Sequence, residues 1–320
     1  MDQNVVFQPE EIIAGGNQRR WRIVRLLTAG GFGSVYVAAD VATGDLCAVK
    51  VESWNVKKPV LKASPSGKGT PSKTNSLVLF QMELKVLPEL SRVTQHACRF
   101  LGSGLVPNRA SFVVMTLLGR NLYDLQRAVP DRRFKGETVA RLAIQCIEAI
   151  QALHEIGYIH RDIKPSNFAI GRSSPTDRIV HLIDFGLARA YRVRGTLTVA
   201  QPRANIGFRG TIRYACVTAH LGREQGRRDD LQSLLYVLVE FRRGGLPWRT
   251  IEDEAQVSRM KRAFRDRLTE GMETQYSEMS RDLLKLKYAD EPNYGKMYQS
   301  LQEMQEQNGY RTEGPFEWES

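Results

Sequence analysis

At 320 residues, 42% hydrophobic and 25% charged, the chain has an ordinary soluble composition and enough length to bury a large core, as one domain or as two lobes sharing a cleft. Its longest apolar stretches, such as Leu231 to Phe241, contain polar residues and fall far short of the roughly 20 residues that span a bilayer, and Met1-Asp2-Gln3-Asn4 lacks the basic-then-apolar order of a secretory leader, so a cytoplasmic protein without membrane insertion is expected, nuclear entry being left open. A formal net charge of +11 admits a nucleic acid, an anionic membrane surface, or acidic and phosphorylated protein substrates, and by itself chooses none of them.

From Trp21 to Val51 apolar and polar residues alternate in three runs, Trp21 to Leu27, Ser34 to Ala38 and Leu46 to Lys50. Turns at Gly30-Gly31 and Thr43-Gly44 separate them, which predicts a strand meander. Lys57 to Ser76 is rich in Lys, Pro, Ser and Gly, carries five lysines without an acid, and is read as a solvated loop. Leu79, Met82, Val86, Leu87 and Leu90 recur at helical spacing with Glu83 among them. A second helix is predicted over Glu137 to Glu155, where Val139, Leu142, Ala143, Cys146, Ile147, Ile150 and Leu153 form one stripe and Gly157 is the stop. Leu231 to Phe241 is apolar on nearly all sides, as in a helix buried within a larger lobe. Strands first and helices later give an α+β, two-lobed architecture. The cysteines, Cys47, Cys98, Cys146 and Cys216, lack Cys-x-x-Cys spacing and are expected to pack as reduced thiols.

Four elements in order carry chemistry. Thr28-Ala29-Gly30-Gly31-Phe32-Gly33-Ser34-Val35 lies between two predicted strands, where glycine lets backbone N–H groups approach a polyphosphate. Ala48-Val49-Lys50 then offers a lysine for phosphate, with Glu83 on the following helix as the carboxylate that holds it. His160-Arg161-Asp162-Ile163-Lys164-Pro165-Ser166-Asn167 sets an aspartate, a lysine and an asparagine on one short loop. Asp162 would accept the proton of an attacking hydroxyl, Lys164 would neutralise a γ-phosphate, and Asn167 would bind a metal ion. Asp184-Phe185-Gly186 follows the strand-like run Ile179 to Ile183 and supplies a metal-binding carboxylate. Each element alone is more simply a turn or a surface charge, but chance rarely assembles all four in this order.

The set resembles the signature of protein kinases. Lys164 is similar to the serine/threonine kinases. Gly207-Phe208-Arg209-Gly210-Thr211-Ile212-Arg213-Tyr214-Ala215, standing where Ala-Pro-Glu is usual, resembles the casein kinase 1 superfamily. Val114 to Leu122, His160 to Phe168, Asp229-Asp230-Leu231 and Leu238 to Phe241 look most like tau-tubulin kinases, a likeness that runs from about Arg22 to Glu319. It implies a two-lobed kinase fold over 21–310, with an antiparallel N-lobe of about 21–115, a hinge at 116–118 and a mainly helical C-lobe over 119–310. An N-terminal extension, 1–20, and a tail, 311–320, flank it. It implies ATP with Mg²⁺ as cofactors and Ser/Thr side chains of proteins as acceptors. Thr28, Ala29, Gly30, Gly31, Phe32, Gly33 and Val35 would cover the nucleotide. Met115 would be the gatekeeper, and the backbone of Thr116, Leu117 and Leu118 would bind adenine, with Val35, Ala48, Ala169 and Ile183 enclosing the base. Asp230 resembles the residue that anchors the catalytic loop, and Gln232 stands where tau-tubulin kinases carry tryptophan.

Between Phe185 and Arg228 arginine is abundant against the single acid Glu224, which predicts preference for acidic or pre-phosphorylated substrates, and Arg213 resembles an anion-site arginine of casein kinase 1 relatives. Arg161, Thr196 and Thr198 allow regulation by phosphorylation of this segment, whereas the resemblance implies activity without it. The alternative reading, a pseudokinase or scaffold of the same fold, rests on Thr28 in place of the first glycine and on the Lys57 to Ser76 insertion. No nucleic-acid-binding module is recognised, so that partner is not expected, and a monomer is.

Overall fold

The computed structural model describes residues 6–16, 18–30, 33–53 and 76–319. Gly31, Phe32 and the lysine-rich stretch as far as residue 75 lie outside them. The chain divides into two compact units, Met1–Val93 with Ala97–Leu118, and Thr94–His96 with Gly119–Ser320.

The first unit is a six-stranded antiparallel sheet with one helix. Its elements are β1 (Ile12–Ala14), β2 (Arg20–Gly30), β3 (Gly33–Asp40), β4 (Leu46–Ser53), α1 (Ser76–Leu90), β5 (Phe100–Val106) and β6 (Ala110–Thr116), and the strand order is β1-β2-β3-β4-β6-β5. The alternation predicted for 21–50 sorts side chains by face. Opposed pairs Tyr36 with Val49 and Val49 with Val114 lie on the face whose core also holds Trp21, Ile23 and Phe112. Val35 opposite Lys50, and Ala48 opposite Met115, lie on the other face. Each fully buried aromatic contributes roughly 1.5–3 kcal/mol, and Trp21 meets Phe112 edge-on at 6.3 Å.

Residues before 21 are more than an extension. β1 pairs with β2, Phe7 is buried against Tyr36 and Phe112, and the Tyr36 hydroxyl accepts the N–H groups of Val6 (2.8 Å) and Phe7 (3.2 Å). Nothing in their alternation signalled this docking, because β1 is only three residues long.

The second unit holds α2 (Leu122–Ala128), α3 (Gly136–Glu155), β7 (Tyr158–Ile159), β8 (Phe168–Ile170), β9 (Val180–Leu182), β10 (Arg189–Ala190), α4 (Val217–His220), α5 (Arg227–Arg243), α6 (Glu254–Ala263), α7 (Thr274–Lys285) and α8 (Tyr294–Asn308). The apolar stripe of α3 is wholly buried against α5, α8 and β9. α3 stops where expected, since Gly157 takes φ +91°, a conformation that costs other residues about 1–2 kcal/mol. α5 is buried all round, its first turn closed by Asp229 accepting the Gly226 N–H at 2.7 Å. Two small antiparallel ribbons, β7 with β10 and β8 with β9, complete the unit. Within residues 311–319 Phe316 is buried, stacks on Trp318 at 4.4 Å, and lies under the Arg141 guanidinium at 3.9 Å.

The fold is therefore α+β, an antiparallel sheet unit followed by a helical unit. All four cysteines are buried and unbridged, and burial pushes the Cys47 and Cys98 thiols up to about 12, as suits inert packing residues. Among the described residues no helix is long and apolar enough to cross a membrane.

Candidate active site

In the second unit the loop His160 to Asn167 leaves β7 and enters β8. Arg161 adopts φ +67°, a left-handed conformation that a non-glycine residue keeps only where its surroundings enforce it. Asp230, in the first turn of α5 and 2% exposed, does so. Its carboxylate accepts the N–H groups of His160 (2.7 Å) and Arg161 (2.8 Å) and the Nε2–H of His154 (2.9 Å). Burial pushes this carboxyl up, but the bonds from His154 and His160 outweigh it and leave Asp230 below the usual carboxylate range. His154 itself is held below the ordinary imidazole value by burial, so its ring is neutral and its Nδ1 accepts the Tyr294 hydroxyl at 2.6 Å.

The loop so anchored displays its chemical groups together. Asp162 Oδ2 accepts from Lys164 Nζ at 2.7 Å, and Asp162 Oδ1 accepts from the Thr211 hydroxyl at 2.7 Å. Lys164 Nζ also donates to Thr211 Oγ1 at 3.2 Å, closing a triangle. Asn167 donates from its amide nitrogen to the Asp162 carbonyl at 2.9 Å, which orients its amide. Gly210 just before Thr211 has φ +110°, and a Cβ there would stand 2.8 Å from the Arg161 carbonyl oxygen, so glycine is required for this approach.

The ribbon of β8 and β9 brings the other predicted ligand alongside. Phe168 pairs with Leu182, and Ile183 N–H donates to the Asn167 carbonyl at 3.0 Å, so Asp184 follows directly beyond Asn167. Asp184 is itself left-handed at φ +67°, and Phe185 beneath it is buried edge-on against the His160 ring. Ala169 is buried in β8 and Ile183 is half-buried, its carbonyl meeting His160 Nε2 at 3.1 Å.

In the first unit Lys50 Nζ meets Glu83 Oε2 at 2.9 Å, joining β4 to a carboxylate on α1 that is 2% exposed. Val35, Ala48, Lys50 and Met115 share one sheet face by register. Thr28 pairs with Val35, Ala29 with Ser34 and Gly30 with Gly33, and the register of β2 shifts between Leu26 and Thr28. Gly33 has φ +119°, and a Cβ there would lie 2.3 Å from the Val51 carbonyl oxygen, so glycine is required at this position. The Thr116 N–H donates to the Arg99 carbonyl at 3.1 Å, so Thr116 could meet adenine only through its carbonyl oxygen.

The protein kinase domain family matches residues 21–294. The chain belongs to the protein kinase family. This kinase is also 37% identical over 318 residues, 99% of its own chain, to a Dictyostelium discoideum protein named "Probable serine/threonine-protein kinase", and it spans 59% of that relative's length. Members of the family use ATP and a divalent metal. The donor set fits such an ion: Asn167 and Asp184 offer an amide oxygen and a carboxylate, hard ligands of the kind that bind through one or two side chains and substrate phosphates. Among the described residues of the kinase there is no cluster of three or more His, Cys, Asp or Glu that would hold a metal unaided.

Within the arginine-rich segment Glu224 pairs with Arg203 (2.6 Å) and Arg189 (3.3 Å), and Arg227 pairs with Glu291 outside the segment (3.3 Å). The Arg213 guanidinium, 38% exposed, donates to the Arg249 carbonyl at 2.9 Å and faces Glu240 at 3.7 Å. Sequence reading also missed Thr211, although it lies inside the Gly207 to Ala215 segment singled out for family likeness, and missed His154 and Tyr294 altogether.

Proposed function

We propose that this kinase domain transfers the γ-phosphate of ATP to serine and threonine hydroxyls of protein substrates, and that it is of the casein kinase 1 and tau-tubulin kinase-like type. The observation that carries this reading is the triangle of Asp162, Lys164 and Thr211. A carboxylate fixed by two donors keeps the orientation a general base needs, and a cation 2.7 Å away is placed for the charge that develops on the transferred phosphoryl group.

In the reaction the acceptor oxygen bonds to the γ-phosphorus as the bond from that phosphorus to the β–γ bridging oxygen breaks. The hydroxyl proton passes to Asp162, and ADP leaves. Lys50, fixed by Glu83, binds the α and β phosphates. Asn167 and Asp184 would hold Mg²⁺, which supplies charge neutralisation on the phosphates when bound.

Peptides differing only in a Ser, Thr or Tyr acceptor test the reading. Turnover on Ser and Thr and not on Tyr is expected, whereas Tyr turnover as fast as Ser would overturn it. Thr211→Val should lower kcat by on the order of ten- to a hundredfold, since it frees Asp162 Oδ1 and one Lys164 contact, while Thr211→Ser restores it.

A further inference from the structure

Helix α6 is charged and polar along most of its length, yet Val257, Ser258 and Lys261 form a buried face, and Lys261 is 2% exposed. Its Nζ donates to the carbonyl oxygens of Ile212 and Ala215, each at 2.7 Å, and stands 3.1 Å from His220 Nε2. The Tyr236 and Trp248 rings flank it, with centroids 5.0 and 5.4 Å from Nζ. Trp248 binds the same segment, its Nε1–H donating to the Arg213 carbonyl at 2.8 Å. The turn that carries these carbonyls is closed by the N–H groups of Tyr214 and Ala215, both donating to the Thr211 carbonyl at 2.9 Å.

Acceptors on three sides of Nζ call for an ammonium, because a neutral amine has one N–H too few to serve them all. Burial opposes this and lowers the Lys261 pKa to about 7. Burial and the nearby Lys261 also hold His220 down to about 3, so its imidazole is neutral and able to accept at Nε2, while its Nδ1 faces Glu254 Oε1 at 3.5 Å. A methionine would fill the space between the two rings without the cost of desolvating a charge. Packing alone therefore does not account for a lysine here. Its donors do, and they are aimed at the residues that follow Thr211, whose hydroxyl holds Asp162 Oδ1 at 2.7 Å.

We propose that Lys261, assisted by Trp248, is a positioning residue for phosphoryl transfer: it fixes the backbone of Ile212 to Ala215 from α6, so that Thr211 keeps Asp162 in the orientation of a general base. This rests on the protein-kinase reading of Asp162. Lys261 touches neither Asp162 nor a substrate and acts only through the turn, which distinguishes it from Lys164, whose Nζ meets the carboxylate directly at 2.7 Å.

The test is a pair of double-variant cycles on phosphorylation of a Ser peptide by the full chain, at about pH 6, below the value of about 7 for Lys261, with urea unfolding followed on every sample to establish that it is folded. Lys261→Met keeps an unbranched side chain and removes the donors. It should lower kcat about tenfold or more while KM for ATP stays within about twofold, since only the placement of Asp162 has changed. Because the effect passes through Thr211, adding Lys261→Met to Thr211→Val should lower kcat by no more than about twofold beyond Thr211→Val alone. Trp248→Phe, which keeps a ring and loses one bond, should lower kcat about threefold and be absorbed by Thr211→Val in the same way. That second cycle decides alone if Lys261→Met does not fold. Leu301→Ala, a buried truncation in α8, should weaken the fold in urea yet leave kcat within about twofold. Losses that multiply in the deciding cycle, as two independent structural defects would, overturn the role of Lys261. So does a kcat for folded Lys261→Met within about twofold of the unaltered chain, or an equal loss in Leu301→Ala. Asp162→Asn in the same assay separates the two readings: an unaltered chain no faster than this variant removes the kinase reading itself, whereas clear turnover with multiplying losses removes the positioning role alone.

Discussion

The two units carry their chemistry in different ways. In the sheet unit the ion pair of Lys50 with Glu83 stands on the face that β-register assigns to Val35, Ala48 and Met115, while the opposite face is an aromatic core. In the helical unit a buried polar chain runs from Tyr294 through His154 and Asp230 to the amides of His160 and Arg161, and then through the loop to Asp162, Lys164 and Thr211. Such chains raise the stakes of each member, because a lost partner leaves a buried group unsatisfied. The sheet unit is therefore expected to tolerate polar substitution that the helical unit does not.

Asp230→Ala should show the largest effect. It strands two amides and a histidine in the core and releases the left-handed Arg161, so a loss of about 3–5 kcal/mol in urea unfolding is expected, together with a fall in kcat on the order of a hundredfold. A loss below about 1 kcal/mol would erase the contrast between the units.

Acid should separate the units next. His154, His181 and His220 all lie in the helical unit, and burial lowers each of their pKa values, that of His220 to about 3. The unfolded chain then binds more protons than the fold below the ordinary imidazole value of about 6.5. Their stabilising effect is complete above that pH and is lost as pH falls toward about 3. Hydrogen exchange at pH 5 against pH 7 should show protection falling in α3 and α5 before β2 to β4; the reverse order would contradict the comparison.

Tyr36→Phe in the sheet unit should matter least. It removes the acceptor of the Val6 and Phe7 amides and should cost about 1 kcal/mol by thermal unfolding, with unchanged turnover.

The same contrast governs what could be read from the sequence. Alternation gave β2 to β4, a stripe gave α3, and unbroken apolarity gave α5, because each signal lies within one element. The groups expected to do the chemistry were legible for the same reason: Asp162, Lys164 and Asn167 sit on one loop, and Asp184 ends one strand. What holds them is long-range. His154 and Tyr294 are 140 positions apart and Thr211 and Asp162 are 49, distances that no periodicity connects. The nearness of Arg213 to Glu240, which lies on another element, is equally beyond local pattern, and so is the docking of Phe7 on Tyr36, 29 positions away.

The central claim is that the loop braced by Asp230 and the carboxylate of Asp184 perform phosphoryl transfer from ATP. Its most direct test is turnover of ATP with Mg²⁺ on casein or a peptide library by the unaltered chain, by Asp162→Asn and by Asp184→Asn. The account expects clear phosphorylation by the unaltered chain and a loss on the order of 10²–10⁴-fold in both variants. Activity of the unaltered chain no higher than that of the two variants would contradict it.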